Sequence, residues 1–184
     1  MVKFAGFGLL TVAILWAVPL AASEITADAL DRLPAAQVII LGEVHDNPAH
    51  HANQARAVAA LRPAALVFEM LTPEQAARAR GVDRADKVAL EAALGWEASG
   101  WDDFAMYHPI FAAAPEALIL GAALPKQEVR RAMTEGAAAV FGAQAARFGL
   151  EIILPKAEQA AREADQKRAH CNALPPDMLA GMVA

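Results

Sequence analysis

Cysteine is almost missing: Cys171 is the only one in 184 residues. That excludes an intrachain disulfide framework, and it excludes a cysteine-rich zinc or iron–sulfur site built by this chain alone. Any metal chemistry must draw on histidine, carboxylate or the one tyrosine, Tyr107. Basic charge is also scarce. Lys and Arg number 16 against 21 Asp and Glu, a net charge of −5, so the cationic field by which a general nucleic-acid binder releases counterions from phosphates is absent. No Gly-x-Ser-x-Gly elbow occurs, and Cys171 beside His170 is too close in sequence to form a nucleophile–base pair, so it is expected to be buried. Past residue 23 there is no internal repeat, linker or low-complexity tract beyond a general enrichment in alanine. What remains is 57% hydrophobic and 20% charged, enough apolar matter for a folded core.

The N-terminus reads as a leader. Lys3 precedes a charge-free, mostly apolar stretch from Phe4 to Ala22, Pro19 breaks it, and Ala21-Ala22-Ser23 supplies the small residues a signal peptidase requires. Residues 1–23 are therefore expected to be a signal peptide and 24–184 the exported domain, placing it in the periplasm or cell envelope. An uncleaved membrane anchor is the alternative, since such a stretch can just span a bilayer of about 30 Å. No cysteine follows the apolar run, so a lipid-modified N-terminus has no acceptor.

Gln37–Leu41 (QVIIL) and Ala64–Phe68 (AALVF) are short apolar runs separated by an alanine-rich helical segment, Pro48–Leu61. This is the rhythm of a β-α-β unit. Ala117–Leu120 (ALIL) fits a third strand. Runs this apolar suit strands covered on both faces, so the expected fold is α/β, with a mostly parallel central sheet flanked by helices. Asn47 before Pro48 reads as a helix cap, and Thr72-Pro73-Glu74-Gln75 as a capping box. Both starts lie just beyond a strand, so Gly42–His51 and Glu69–Gln75 are expected at the sheet's carboxyl edge, where open α/β sheets place their sites. Gln127–Phe148 reads as helix interrupted by Gly136 and Gly142, Leu150–Leu154 as strand or turn, and Lys156–His170 as helix. The segment Asp177–Val183 stops one or two turns into an apparent helix, so a C-terminally truncated domain is expected.

Chemistry-bearing residues concentrate in Gly42-Glu43-Val44-His45-Asp46-Asn47-Pro48-Ala49-His50-His51, which holds three of the five histidines. Glu43 and His45 share a side if the strand continues, while His50 and His51 open the helix, whose N-terminus disfavours protonated imidazole. Glu69 comes directly off the second strand as a carboxylate partner. These positions permit a divalent-metal site of Glu43, His45 and Glu69, with His50 or His51, for a hydrolase that activates water. The spacing matches no familiar zinc-peptidase pattern. The bland reading has Asp46 and Asn47 capping the helix and the histidines bonded along its surface.

The second dense segment is Trp96–Phe111, WEASGWDDFAMYHPIF, with Trp101, Met106, Tyr107 and His108. Apolar and aromatic walls with an axial donor are what a porphyrin needs, and a phenolate suits ferric iron. An aromatic core plug, with the Tyr107 hydroxyl bonded to backbone, explains the composition equally well.

Together, LGEVHDNPAHHANQ, Glu69 in LVFEML and SGWDDFAMYHPIF resemble the ChaN-like haem-binding lipoprotein family, within the broader Tiki/TraB and erythromycin-esterase-like superfamily. The Gly-Glu-x-His-Asp element marks the superfamily, while the histidine pair and the aromatic block single out the haem-binding branch. GAALPKQEVRRAM at Gly121–Met133 and AHCNALPPDMLAGM at Ala169–Met182 extend the resemblance over about residues 35–184. It implies an α/β domain with a helical insertion that binds haem at the cell envelope, a binding rather than a catalytic role. In one member two haems stack face to face between two subunits and a tyrosine ligates iron. By position that ligand is Tyr107, with Trp101, Met106, His108, His45, His50 and His51 lining the cofactor and Glu43, Asp46 and Glu69 completing a polar pocket. Haem capture or storage in iron acquisition follows, with a homodimer on haem binding and envelope haem-transport components as partners. Arg130 and Arg131 are candidate partners for the propionates, a solvated helical face being an equal reading. Two departures stand out: the leader has no lipid-accepting cysteine, and the Gly-x-Gly-His-type motif with which members normally continue is missing.

Overall fold

A computed structural model describes residues 23–183, so the signal peptide assigned to residues 1–23 lies, but for Ser23, outside the described residues. The expected sheet-centred α/β architecture is not what forms. Of the described residues 56% are helical and 5% extended. Strands β1 (Ala65–Phe68) and β2 (Leu118–Gly121) pair in parallel, Ala65 opposite Leu118 and Phe68 opposite Gly121, in a small open sheet. The helices are α1 (Pro48–Leu61), α2 (Pro73–Arg78), α3 (Lys87–Leu94), α4 (Phe104–Ala112), α5 (Lys126–Glu135), α6 (Ala137–Phe141), α7 (Lys156–Ala169) and α8 (Leu179–Val183), with short 3₁₀ turns between several of them. None of the described helices is long and apolar enough to cross a membrane.

The correction turns on Gln37–Leu41. The segment is not a strand; Val38 and Ile40 stand 76% and 89% exposed, and the Leu41 carbonyl accepts a side-chain hydrogen bond from Gln54 at 3.2 Å. An apolar run becomes a strand only when a neighbour takes its backbone groups, and among the described residues β1 pairs with β2 alone. Leu150–Leu154 is likewise a turn and coil, with Ile152 and Ile153 exposed. Cys171, expected inside, is exposed at the end of α7.

The helix starts follow their local chemistry. Asn47 accepts from the Ala49 amide at 3.0 Å with Pro48 at the first helical position, and Thr72 and Gln75 exchange both bonds of a capping box. In α1 the inward residues are His51, Gln54, Ala57 and Val58, a face of helical period. In α4 they are Phe104, Tyr107, Ile110 and Phe111. The two faces pack together and meet the helices between the strands.

The core lies between Val58 and Ile119 and is aromatic at its centre. Phe68 stacks on Phe111 with centroids 4.1 Å apart, and Trp96 packs on Phe104 and Tyr107. Leu71, Leu90, Leu94 and Phe111 are fully buried, each contributing about 1.5–3 kcal/mol. Beyond β2, Ala145 is the one described residue that is buried. The chain leaves β2 through a close approach: a Cβ on Gly121 would stand 2.3 Å from the Leu71 and Thr72 carbonyl oxygens.

Candidate functional site

The Gly42–His51 loop and the aromatic segment meet at the junction of α1 and α4. Glu43 is the hub, its side chain 10% exposed. Its Oε1 accepts from His45 Nδ1 at 2.8 Å and from the Tyr107 hydroxyl at 3.1 Å, and its Oε2 accepts from Gln54 Nε2 at 2.8 Å. His51, fully buried, donates from Nε2 to the His45 carbonyl at 2.8 Å. Its Nδ1 lies 3.3 Å from Glu43 Oε2 without making a hydrogen bond. His50 Nδ1 accepts from the Val44 amide at 2.8 Å, tying the loop to the first turn of α1.

Burial is the largest single influence on Glu43 and opposes its ionisation. The hydrogen bonds from Gln54, His45 and Tyr107, with the nearby His51 imidazole adding, outweigh it and hold the carboxyl below its usual range. Tyr107 is displaced the other way. Burial first, then the Glu43 charge and hydrogen bond, with Asp102 and Glu69 adding, push its phenol well above the ordinary range. The ring is completely buried, packed against His51 at 4.2 Å and Trp96 at 4.7 Å.

Trp101 reaches the outer side of the cluster because of its turn. The Ser99 hydroxyl donates to the Trp96 carbonyl and accepts from the Trp101 amide, and Gly100 takes a left-handed φ of 83°. The Trp96 indole donates to the Asp102 carbonyl at 2.8 Å and anchors the inner end. Trp101 is left 36% exposed with its ring 4.7 Å from that of His45. Val44, next to His45 in the chain, is 56% exposed.

Glu43, His45, His51, Tyr107 and Trp101 are thus brought together, with His50 bracing the loop. Met106 packs partly buried against the core, and His108 turns away to donate to the Arg84 carbonyl at 2.9 Å. Glu69 is exposed in the turn after β1 and bears on Tyr107 only through its charge. Among the described residues no three His, Cys, Asp or Glu side chains are grouped to hold a metal ion, so the geometry gives the Glu43–His45–Glu69 hydrolase site no support. Asp46 is exposed, and the capping falls to Asn47. Arg131 is engaged along α5 with Glu128 and Glu135. Gln54 was not anticipated. Its signal was available, since His51, Gln54 and Val58 share one helical face.

The donor set fits a haem. An imidazole and a phenol oxygen are both recognised donors to haem iron, and a partly exposed indole offers a flat apolar wall beside them. Comparison with known proteins points the same way. A family model described as haem-binding uptake, Tiki superfamily, ChaN matches residues 29–184. No curated protein and no solved structure matches the chain.

Proposed function

Because the chain belongs to the ChaN haem-binding uptake family of the Tiki superfamily, we propose that it binds haem at the cell envelope and captures or stores it during iron acquisition. The observation that carries this reading is the pairing of partly exposed His45 with exposed Trp101, His45 being hydrogen-bonded to the same Glu43 oxygen that takes the buried Tyr107 hydroxyl. An aromatic face with an iron donor in its surface is what a planar, largely apolar macrocycle requires. His45 and Trp101 form the haem face, Tyr107, His50 and His51 stand behind it, and Met106 and His108 support the α4 side.

A haem bound on such a face keeps one side of its ring open to solvent, and a second subunit bringing its own haem would cover that side through ring-to-ring burial. The proposal therefore includes a homodimer with cofacial haems, delivered by or to envelope haem-transport components. The test is a ferric-haem titration followed by absorption and coupled to sedimentation. It should saturate at one haem per chain and shift the population towards dimer. A titration that never saturates refutes haem binding, and saturation on a monomer refutes the cofacial pair.

A further inference from the structure

Five large apolar side chains stand out of the turn between α6 and α7. Phe141, Phe148, Leu150, Ile152 and Ile153 are all exposed, Ile152 to 75% and Ile153 to 92%. They are neighbours in space as well as in sequence. The Phe141 and Phe148 rings meet edge-on at 5.2 Å, and Ile152 folds back on Gly149, where a Cβ would stand 3.4 Å from its Cδ1. Single exposed apolar residues are ordinary, but a contiguous patch of this kind marks a protein or membrane contact. The backbone beneath it is already closed. The amides of Gly149, Leu150 and Ile152 donate to the carbonyls of Ala146, Ala145 and Gly149, each at 3.1 Å, and Gly149 takes a left-handed φ of 71° that lets the chain turn. A segment entering an apolar phase has to satisfy its backbone groups internally, and these three are satisfied in advance.

Two observations decide what the patch meets. Ile152 and Ile153 are consecutive in a stretch that is not helical, where successive side chains leave the chain in different directions, and both are nearly bare. A flat protein surface covers one side of such a tip, whereas a fluid apolar phase surrounds it. Charge supplies the second observation. The chain carries −5 overall, yet residues 141–156 hold two cations, Arg147 and Lys156, against the single carboxylate of Glu151. The Arg147 guanidinium lies 5.7 Å over the Phe148 ring, and Lys156 opens α7. Both side chains can keep their stems on apolar surface while their charged ends reach head groups. We propose that the turn Phe141–Ile153 docks the protein on a lipid bilayer, its five apolar side chains entering the interfacial layer and Arg147 and Lys156 meeting anionic head groups. Glu151, exposed between Leu150 and Ile152, limits the depth of entry. The inference stands apart from the haem reading.

The Phe4–Ala22 stretch is itself apolar and could carry the full chain to vesicles, so the readout has to be local. Amide hydrogen exchange is followed along the full chain, with and without vesicles of phosphatidylcholine containing phosphatidylglycerol. Vesicles should slow exchange in residues 145–153 by about tenfold or more and leave the exposed α7 amides unchanged. I152S/I153S should abolish this protection without unfolding the chain, because both side chains are exposed. E151Q should increase it, and R147A/K156A should reduce it only when phosphatidylglycerol is present. Exchange that vesicles leave unaltered overturns the proposal. So does protection that needs no vesicles: if it rises with protein concentration a second copy covers the turn, and if it does not the chain's own surface does.

Discussion

Glu43→Gln is the sharpest perturbation of the cluster, because it keeps shape and removes only the charge and one acceptor. Oε1 serves His45 and Tyr107 while Oε2 serves Gln54. If the new amide keeps its oxygen on the side with two donors, its NH₂ faces the Gln54 NH₂ at the 2.8 Å now spanned by a hydrogen bond. Gln54 can turn over and offer its unpartnered Oε1, but it then gives up the Leu41 carbonyl. The remaining two bonds become neutral ones, each weaker by roughly 1 kcal/mol, and the lost Leu41 bond adds about another, so the variant should be about 2–3 kcal/mol less stable at pH 7. The pH dependence has a definite sign. The folded-state pKa of Glu43 is depressed, so its contribution is complete above the ordinary glutamate value of about 4.3 and is lost as pH falls through the lower folded value. Gln does not titrate and resembles protonated Glu. Urea melts followed by tryptophan fluorescence and far-ultraviolet circular dichroism should therefore show a gap between wild type and variant that is widest near neutrality and closes in acid below about pH 4. A gap under about 0.5 kcal/mol at pH 7, within the scatter of an ordinary surface change, or one that does not change with pH, refutes the network as drawn.

Tyr107→Phe keeps the buried ring and deletes one donor to a carboxylate, so the same melts should show a loss of about 1.5–3 kcal/mol; wild-type stability would mean that the hydroxyl is not engaged. Gly121→Ala places a Cβ 2.3 Å from two backbone oxygens and should cost about 3 kcal/mol, whereas an unchanged melt would show that the turn after β2 relaxes freely. Asn47→Ala removes the cap of α1 and should cost about 1 kcal/mol; amide exchange in the first turn, including His50 and His51, should accelerate, and unaltered protection would refute the cap.

What was legible in the sequence was what is settled locally. Asn47-Pro48 and Thr72–Gln75 announce their helices because a cap is satisfied by residues two or three positions away. Ala64–Phe68 and Gln37–Leu41 look alike as strings, yet only the first finds a partner. That outcome depends on a segment about fifty positions further on, which no local pattern encodes, and the expected central sheet fails at this point. The site divides along the same line. Glu43, His45 and His51 stood out because they fall within one short loop, and the encounter of Glu43 with Tyr107 across 64 positions had no local signal and came only with the family resemblance. Met106 and His108 were grouped with Tyr107 because they flank it, but adjacent helical residues point about 100° apart, and that rotation carries His108 to the Arg84 carbonyl.

The same geometry explains why a small domain keeps such a cluster at all. Enclosing Glu43, His51, Gln54 and Tyr107 strips water from four polar side chains, and an apolar core of equal volume is often at least as stable as a buried charged network. What the polar version supplies, and an apolar one cannot, is a directed partner that holds the His45 ring against Trp101. Stability and ring placement are therefore two readouts of one object. Glu43→Gln should weaken the fold and loosen the His45–Trp101 contact together, the latter read from NMR contacts between the two rings, and a variant that shifts one while sparing the other would separate the buried network from the exposed ring.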